Sequence, residues 1–396
     1  MSAAADKARF FLEQSVPELK ELERKKIFTA EEIRAVAKRR SDFEHKINAR
    51  GSSPADYAQY AEFEINVDML RRKRIKRLGV KATTHNGQRR IFFVFDRGTR
   101  KFPGDLKLWM QSIEYARSQK ALKKVTHTLT NALRLHPTKP ELWIYAAQFA
   151  LAENGDMTQA RGYMQRGLRF CKNSKDMWLQ NFRLEINWIA KIHARRRILG
   201  IEKDAQKEEE IKLAGADEDM MMLPKLTAQD IAPEEDEDDH DKVDVTALAN
   251  LKSTPVMTGA IPIAIFDAAV EQFHDDADLA FNFHEEIARL GHIPAIAAID
   301  THITEVLQEI SSSSWQAQAC LISSATLGMN QDDPAYPAAL RELFRRISRG
   351  LAATKQQDDL KEWSIGLLTG LSQGDLDPAL QQVLQSKVQA LEAAAG

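Results

Sequence analysis

Trp109, Trp143 and Trp178 stand 34 and 35 residues apart, and this period constrains the fold of the chain more than any other feature. Self-similarity at 20 to 50 residues marks a repeat architecture in which one supersecondary unit stacks on the next. More than one residue type keeps the period. Six positions after each tryptophan stands a large apolar residue, Tyr115, Phe149 or Leu184. Gly98, Ala132 and Gly167 recur at the same 34 and 35 spacing, each with a bulky residue three positions earlier (Phe95, Leu129, Met164). Pro103 and Pro137 follow the first two small residues by five positions, and Lys172 takes that place in the third copy. Tyr57, with Tyr60, Phe63 and Glu64 behind it, heads a further copy.

These residue types describe a pair of helices. An aromatic with an apolar partner at i+6 or i+7 lies on one stripe of the first helix. The small residue lets the two helices approach with no bulky side chain between their backbones. Proline cannot continue the second helix and marks its end. One such pair cannot bury its own apolar face, so neighbours must stack. The expected fold is all-α, a TPR-like helical-repeat superhelix (an α-solenoid). Tyr57, Trp109, Trp143 and Trp178, with Gly98, Ala132 and Gly167, are expected as structural repeat positions, the tryptophans buried between paired helices.

The repeat resembles the half-a-TPR form more than the plain tetratricopeptide form. Ala160-Arg161 followed by Tyr163, Met164, Arg166 and Gly167 is similar to the second helix of that form, and Arg97-Gly98 and Arg349-Gly350 repeat its arginine–small-residue pair. Phe63-Glu64 and Leu184-Glu185 match the apolar–glutamate ending of its first helix, whereas Asn131-Ala132 departs from the arginine pattern.

Four segments follow along the chain. Residues 1–50 are an N-terminal helical segment, read as two helices over 9–50, the second opened by a Thr29–Glu32 capping box. Residues 51–201 hold the repeats, stretched by a basic insertion near 71–90 because Tyr57 and Trp109 are 52 rather than 34 residues apart. Residues 202–258, with 17 acidic against 6 basic residues, read as a disordered acidic linker. A calcium loop there would lack the glycine its turn requires. Residues 259–396 carry degenerate helical repeats, with Ile265-Phe266 and Ala280-Phe283 in one copy, Trp315 in another, and Arg349-Gly350 leading to Trp363.

Charge is divided along the chain. Residues 1–201 carry 41 Lys and Arg against 21 Asp and Glu, and the remainder 14 against 36. The basic half suits nucleic acid or an acidic partner. Its densest runs, Arg71, Arg72, Lys73, Arg74, Lys76 and Arg77, and Arg195, Arg196 and Arg197, are the candidate RNA- or partner-binding residues. The first run also reads as a nuclear import signal or a solvated helix face.

Nothing in the spacing supports catalysis. No Gly-rich phosphate loop occurs, and His284-Glu285 opens like a zinc-protease helix but has Ala288 where the second histidine must stand. Cys171 and Cys320 are far apart and without a partner motif, which suits a reducing compartment. No run approaches the roughly 20 apolar residues of a membrane span. A non-enzymatic protein with no cofactor, no metal, no small-molecule substrate and no membrane partner is expected.

Lys25-Lys26-Ile27-Phe28-Thr29-Ala30-Glu31-Glu32-Ile33 and Lys38-Arg39-Arg40-Ser41-Asp42-Phe43-Glu44, continued by Tyr57 to Glu64 and Arg71 to Arg77, resemble the start of the U3 small nucleolar RNA-associated protein 6 family. The resemblance covers residues 9–200 and extends to the rest only in general character. It implies a half-a-TPR superhelix in the nucleolus (hence the nucleus), serving as a scaffold subunit of UTP-B within the small-subunit processome. It also implies β-propeller (WD-repeat) partners, the U3 snoRNP and pre-rRNA in the same assembly, and a role toward 18S rRNA. Two other scaffolds fit a helical array: a splicing or 3′-end-processing factor, which needs many more copies, and a chaperone adaptor, which needs a Lys, Arg and Asn cluster on three consecutive repeats.

Overall fold

The structure is a computed structural model that describes residues 2–80, 86–198, 258–289, 293–329, 333–373 and 377–393. Every regular element among them is an α-helix. The expected linker at 202–258 lies, but for its last residue, outside the described residues. Packing divides the chain into two compact units, residues 1–143 and 144–396, whereas charge divides it near 201. The first unit holds α1 (Ser2–Glu13), α2 (Val16–Arg24), α3 (Ala30–Asn48), α4 (Pro54–Leu78), α5 (Asn86–Lys101), α6 (Leu106–Ser118) and α7 (Leu122–Leu135). The division falls inside α8 (Pro140–Glu153). The second unit continues with α9 (Met157–Phe170), α10 (Lys175–Ile198), α11 (Ala260–Gln272), α12 (Ala277–Ala288), α13 (Pro294–Ser311), α14 (Trp315–Ser323), α15 (Tyr336–Ala353), α16 (Gln357–Ser372) and α17 (Pro378–Ala393).

The N-terminal segment departs from expectation. Three helices, not two, precede α4. Pro17 lacks an N–H and is tolerated only in a first turn, so it opens α2 and splits the stripe that begins at Phe10. Phe10 is left exposed, while Leu19 and Leu22 pack with Ile27 and Phe28. The start of α3 follows its sequence: Thr29 Oγ1 accepts from the Glu32 N–H at 3.3 Å, and Glu32 Oε2 accepts from the Thr29 N–H at 2.9 Å.

The repeat period corresponds to a repeated closure of the backbone. The carbonyls of Gly98, Ala132 and Gly167 accept the N–H groups of Phe102, His136 and Cys171 at 2.8, 2.9 and 2.8 Å, and α5, α7 and α9 end there. The indole N–H groups of Trp109, Trp143 and Trp178 donate to the carbonyls of Pro103, Pro137 and Lys172 at 3.0, 2.9 and 3.0 Å. Each tryptophan thus locks the head of its helix to the loop before it. Lysine serves at position 172 because the acceptor belongs to the main chain.

Gly98 allows a close approach. A Cβ there would meet Leu108 Cδ2 at 2.9 Å and Tyr57 Cβ at 3.1 Å, so α5 is held tightly between α4 and α6. Gly350 occupies a similar position in the second unit, where a Cβ would meet Ile322 and Leu360 at 3.3 Å. The contacting leucine follows the glycine by ten residues in both places. That register puts Lys361, rather than Trp363, at the tryptophan position of the later copy.

Trp109 and Trp143 are 6 and 5% exposed, but Trp178 is only half-buried, which corrects the expectation for the third ring. Its N–H bond persists, but no tryptophan-headed repeat follows it directly in sequence to cover the outer edge. The second unit is instead built on Phe182, Phe266 and Phe283, all fully buried, with Phe283 edge-on to the other two at 4.8 and 5.5 Å. Arg183 of α10 forks onto Glu286 of α12 at 2.5 and 2.6 Å. Lys175 pairs with Asp276 beside it.

Trp109→Ala is expected to cost roughly 3–5 kcal/mol in denaturant unfolding, the range for emptying a large core site. Trp178→Ala should cost clearly less, because its ring already meets water. Equal losses would show that exposure does not rank these rings.

Candidate nucleic-acid interface

Basic residues in this array have two destinations, and the inward one recurs with the repeat. Arg40 of α3 donates through Nε and Nη2 to Glu64 of α4 at 2.7 and 2.8 Å. Arg161 of α9 makes the same fork with Glu185 of α10 at 2.7 Å twice. The partners are 24 residues apart in both cases, and both carboxylates are buried. Each glutamate stands seven residues after the aromatic that heads its helix, at Tyr57 and Trp178. The equivalent pairs in the intervening copies are Phe92 with Ala116, and Thr126 with Ala150. Guanidinium and carboxylate appear together and disappear together. A sealed carboxylate requires a matched bidentate donor, and without one its desolvation is uncompensated.

The basic run 71–77 forms the last two turns of α4, whose 25 residues against 13 in α6 supply the larger part of the extra spacing, and Gly79 ends the helix at φ 65°. Cations suit that end because the helix dipole is negative there. The side chains then divide. Arg71 is buried and pairs with Asp68 at 2.6 Å, and Arg72 reaches the same carboxylate at 2.7 Å. Asp68 fits against the start of α5 because residue 87 is glycine: a Cβ there would meet its Oδ1 at 2.1 Å. Arg74 forks onto Glu32 at 2.6 and 2.7 Å, donates to the Ile27 carbonyl at 3.1 Å, and lies 4.7 Å over the Phe28 ring. It therefore pins the end of α4 to the capped start of α3. Hydrogen bonds from Arg74 are the main cause that holds the Glu32 carboxyl down at about 2.

Lys73, Lys76 and Arg77 remain outward, beside the exposed side chains of Met69 and Leu70. In the second run, Arg195 and Arg197 are exposed at the end of α10, while Arg196 is buried. Of the nine sequence candidates, then, Arg71, Arg74 and Arg196 serve the packing, and Arg72 is shared between Asp68 and the Gln119 side chain at 2.9 Å. Each run keeps an outward group of cations within its own unit.

One cluster in the second unit has no counterpart in the sequence reading. His284 of α12 holds its Nδ1 2.9 Å from Asp300 Oδ1 of α13, and its Nε2 meets Ser323 Oγ of α14. The order hydroxyl, imidazole, carboxylate is that of a hydrolase triad, assembled from three consecutive helices. The hydroxyl, however, is buried and donates to the Cys320 carbonyl at 3.1 Å. Ser323 and His284 are 6 and 1% exposed, and the cluster joins three helices. Among the described residues, no three His, Cys, Asp or Glu side chains converge as a metal site, and no helix is long and apolar enough to cross a membrane.

Residues 12–93 match the family described as U3 small nucleolar RNA-associated protein 6. The protein of that name from Schizosaccharomyces pombe is 38% identical over 199 residues, which are 49% of this chain and 41% of that protein. The Homo sapiens homolog is 31% identical over 179 residues, covering 44% of this chain and 30% of its own length. The Dictyostelium discoideum homolog is 29% identical over 211 residues, 52% of this chain and 34% of its own length. The chain thus spans less than half the length of these curated relatives.

Arg40→Met is expected to destabilise the fold by roughly 3–5 kcal/mol, because it strands Glu64 without a partner. Adding Glu64→Leu should recover most of that loss; a double variant no more stable than the single one would show that the fork does not hold α3 on α4. Acid tests the outer clamp. Glu32 has its folded carboxyl lowered from 4.5 to about 2, so its contribution is present above pH 4.5 and is lost as pH falls toward 2. Arg74→Met should therefore flatten the fall in stability between those two pH values. An unchanged acid profile would show that Glu32 is not held by Arg74.

Proposed function

We propose that this chain, whose N-terminal region matches the U3 small nucleolar RNA-associated protein 6 family, is a non-catalytic scaffold of the U3 snoRNP assembly, acting in pre-rRNA processing in the nucleolus. The match at residues 12–93 carries this reading, and that segment includes the three outward cations at the end of α4. The finer form is a UTP-B subunit that holds β-propeller partners during 18S rRNA maturation. Stacked helix pairs support it, since they present extended surfaces suited to a partner's peptide or helix.

Direct RNA contact, if made by Lys73, Lys76 and Arg77, is sequence-blind and salt-dependent, because its favourable contribution comes largely from released counterions. Binding of the full chain to a single-stranded pre-rRNA fragment at several salt concentrations tests this. Changing the three residues to Gln is expected to reduce the slope of log K against log salt by up to about 0.7 for each phosphate no longer neutralised. Arg74→Gln should act mainly on stability instead. An unchanged slope would leave α4 without an RNA role, and failure of the tagged chain to copurify with U3 snoRNA would overturn the scaffold reading itself.

A further inference from the structure

The second unit contains a cleft of about 640 Å³, within the range of ligand-binding clefts. It runs along α13 and the turn after α14, outside the residues matched by the family model. Its walls are apolar, from Ile293, Ile296, Leu327 and Met329. Its floor holds two buried polar groups of α13, Asp300 and Thr304, 6 and 9% exposed. The Thr304 hydroxyl has no hydrogen-bond partner, and Asp300 Oδ1 has none either, although it stands near His284 Nδ1 outside hydrogen-bond alignment. Such groups are costly to bury unless something supplies the missing bond.

The charge around the cleft says what would supply it. Glu305 and Asp333 stand exposed at the rim. Arg346 also borders the cleft but donates to the Leu321 carbonyl at 2.6 Å and to Ser324 Oγ at 2.9 Å, with Glu342 at 3.3 Å. The cleft is therefore acidic where it is open, hydrogen-bonding at its floor and apolar along its walls. Phosphate would be repelled. A long cationic side chain fits each feature: its methylene stem lies on the aliphatic walls and its head donates to carboxylate and hydroxyl. We infer that this cleft is a docking site for a lysine- or arginine-bearing peptide segment of a partner protein. A peptide is favoured over a free amine because the apolar wall runs out to exposed Met329, beyond the reach of one cation. The inference does not depend on the U3 reading.

The test uses the full chain and a library of short fluorescent peptides in which one position is Lys, Arg, Gln or Glu between aliphatic residues, read by anisotropy at about 0.15 M salt, where distant surface charges are screened. Lys and Arg peptides should bind, and their Gln and Glu counterparts should bind at least about tenfold more weakly. Asp300→Asn should weaken the Lys peptide by a similar factor. Because Asp300 also faces His284, Ala297→Arg provides the second arm: Ala297 is exposed on the cleft wall, so the new cation should block binding while helicity and Tm stay unchanged. Three outcomes would overturn the proposal: no peptide binds, Glu peptides bind equally, or Ala297→Arg binds as the parent does. Displacement of the Lys peptide by equimolar spermidine would reassign the cleft to small amines.

Discussion

An arginine of one helix gripping a buried carboxylate of the next recurs in both units of this chain and fixes the helix contacts where it occurs. Arg40 with Glu64 fixes α3 on α4, and Arg161 with Glu185 fixes α9 on α10. Neither carboxylate is tolerable there alone. A lone carboxylate sealed from water would shift toward protonation or pull the helices apart to reach solvent. The fork also selects geometry, since two parallel hydrogen bonds fix the roll of one helix on the other in a way that apolar contact does not. Where Phe92 and Ala116 stand instead, the close approach at Gly98 carries the register.

The same logic governs the N-terminal helices. Glu44 of α3 receives a fork from Arg97 of α5 at 2.9 Å twice, and that guanidinium lies 4.2 Å over the Phe11 ring of α1. Glu18 of α2 meets Arg90 at 2.9 Å. These helices are therefore integral to the first unit. Arginine predominates in these contacts because a planar, weakly hydrated guanidinium can satisfy a carboxylate and cover an aromatic face at once. A strongly basic first half thus reflects internal bonding as well as any outward attraction for phosphate.

Much of the fold was legible in the sequence. The tryptophan period, the small residues and the prolines are local features, and they mark helix ends through chemistry that acts within a few residues. Thr29 with Glu32 announced α3 for the same reason. What stayed hidden depends on contacts between distant residues. A run of seven positions rich in cations reads as one stripe, but a helix turns about 100° per residue, so Arg71 and Arg74 point at Asp68 and Glu32 while Lys73 and Arg77 face water. Pairing at 24 residues could have been found from Arg161 and Glu185 against Arg40 and Glu64, since the repeat spacing relates the two. The meeting of His284, Asp300 and Ser323 had no such periodic signal, and neither did the cleft beside it.

The fold rests on a division of arginines into sealed pins and outward cations, and side-chain reactivity in the intact protein measures that division most directly. Phenylglyoxal footprinting of the full chain, read residue by residue by mass spectrometry, should leave Arg40, Arg71 and Arg196 unmodified under conditions that label Arg77 and Arg197, with Arg74 slower than Arg77. Acetylation should reach Lys73 and Lys76 at the rate of free surface lysines. Labelling of Arg40 and Arg71 as fast as Arg77 would show that the run is one solvated face and that the buried forks do not hold the helices together.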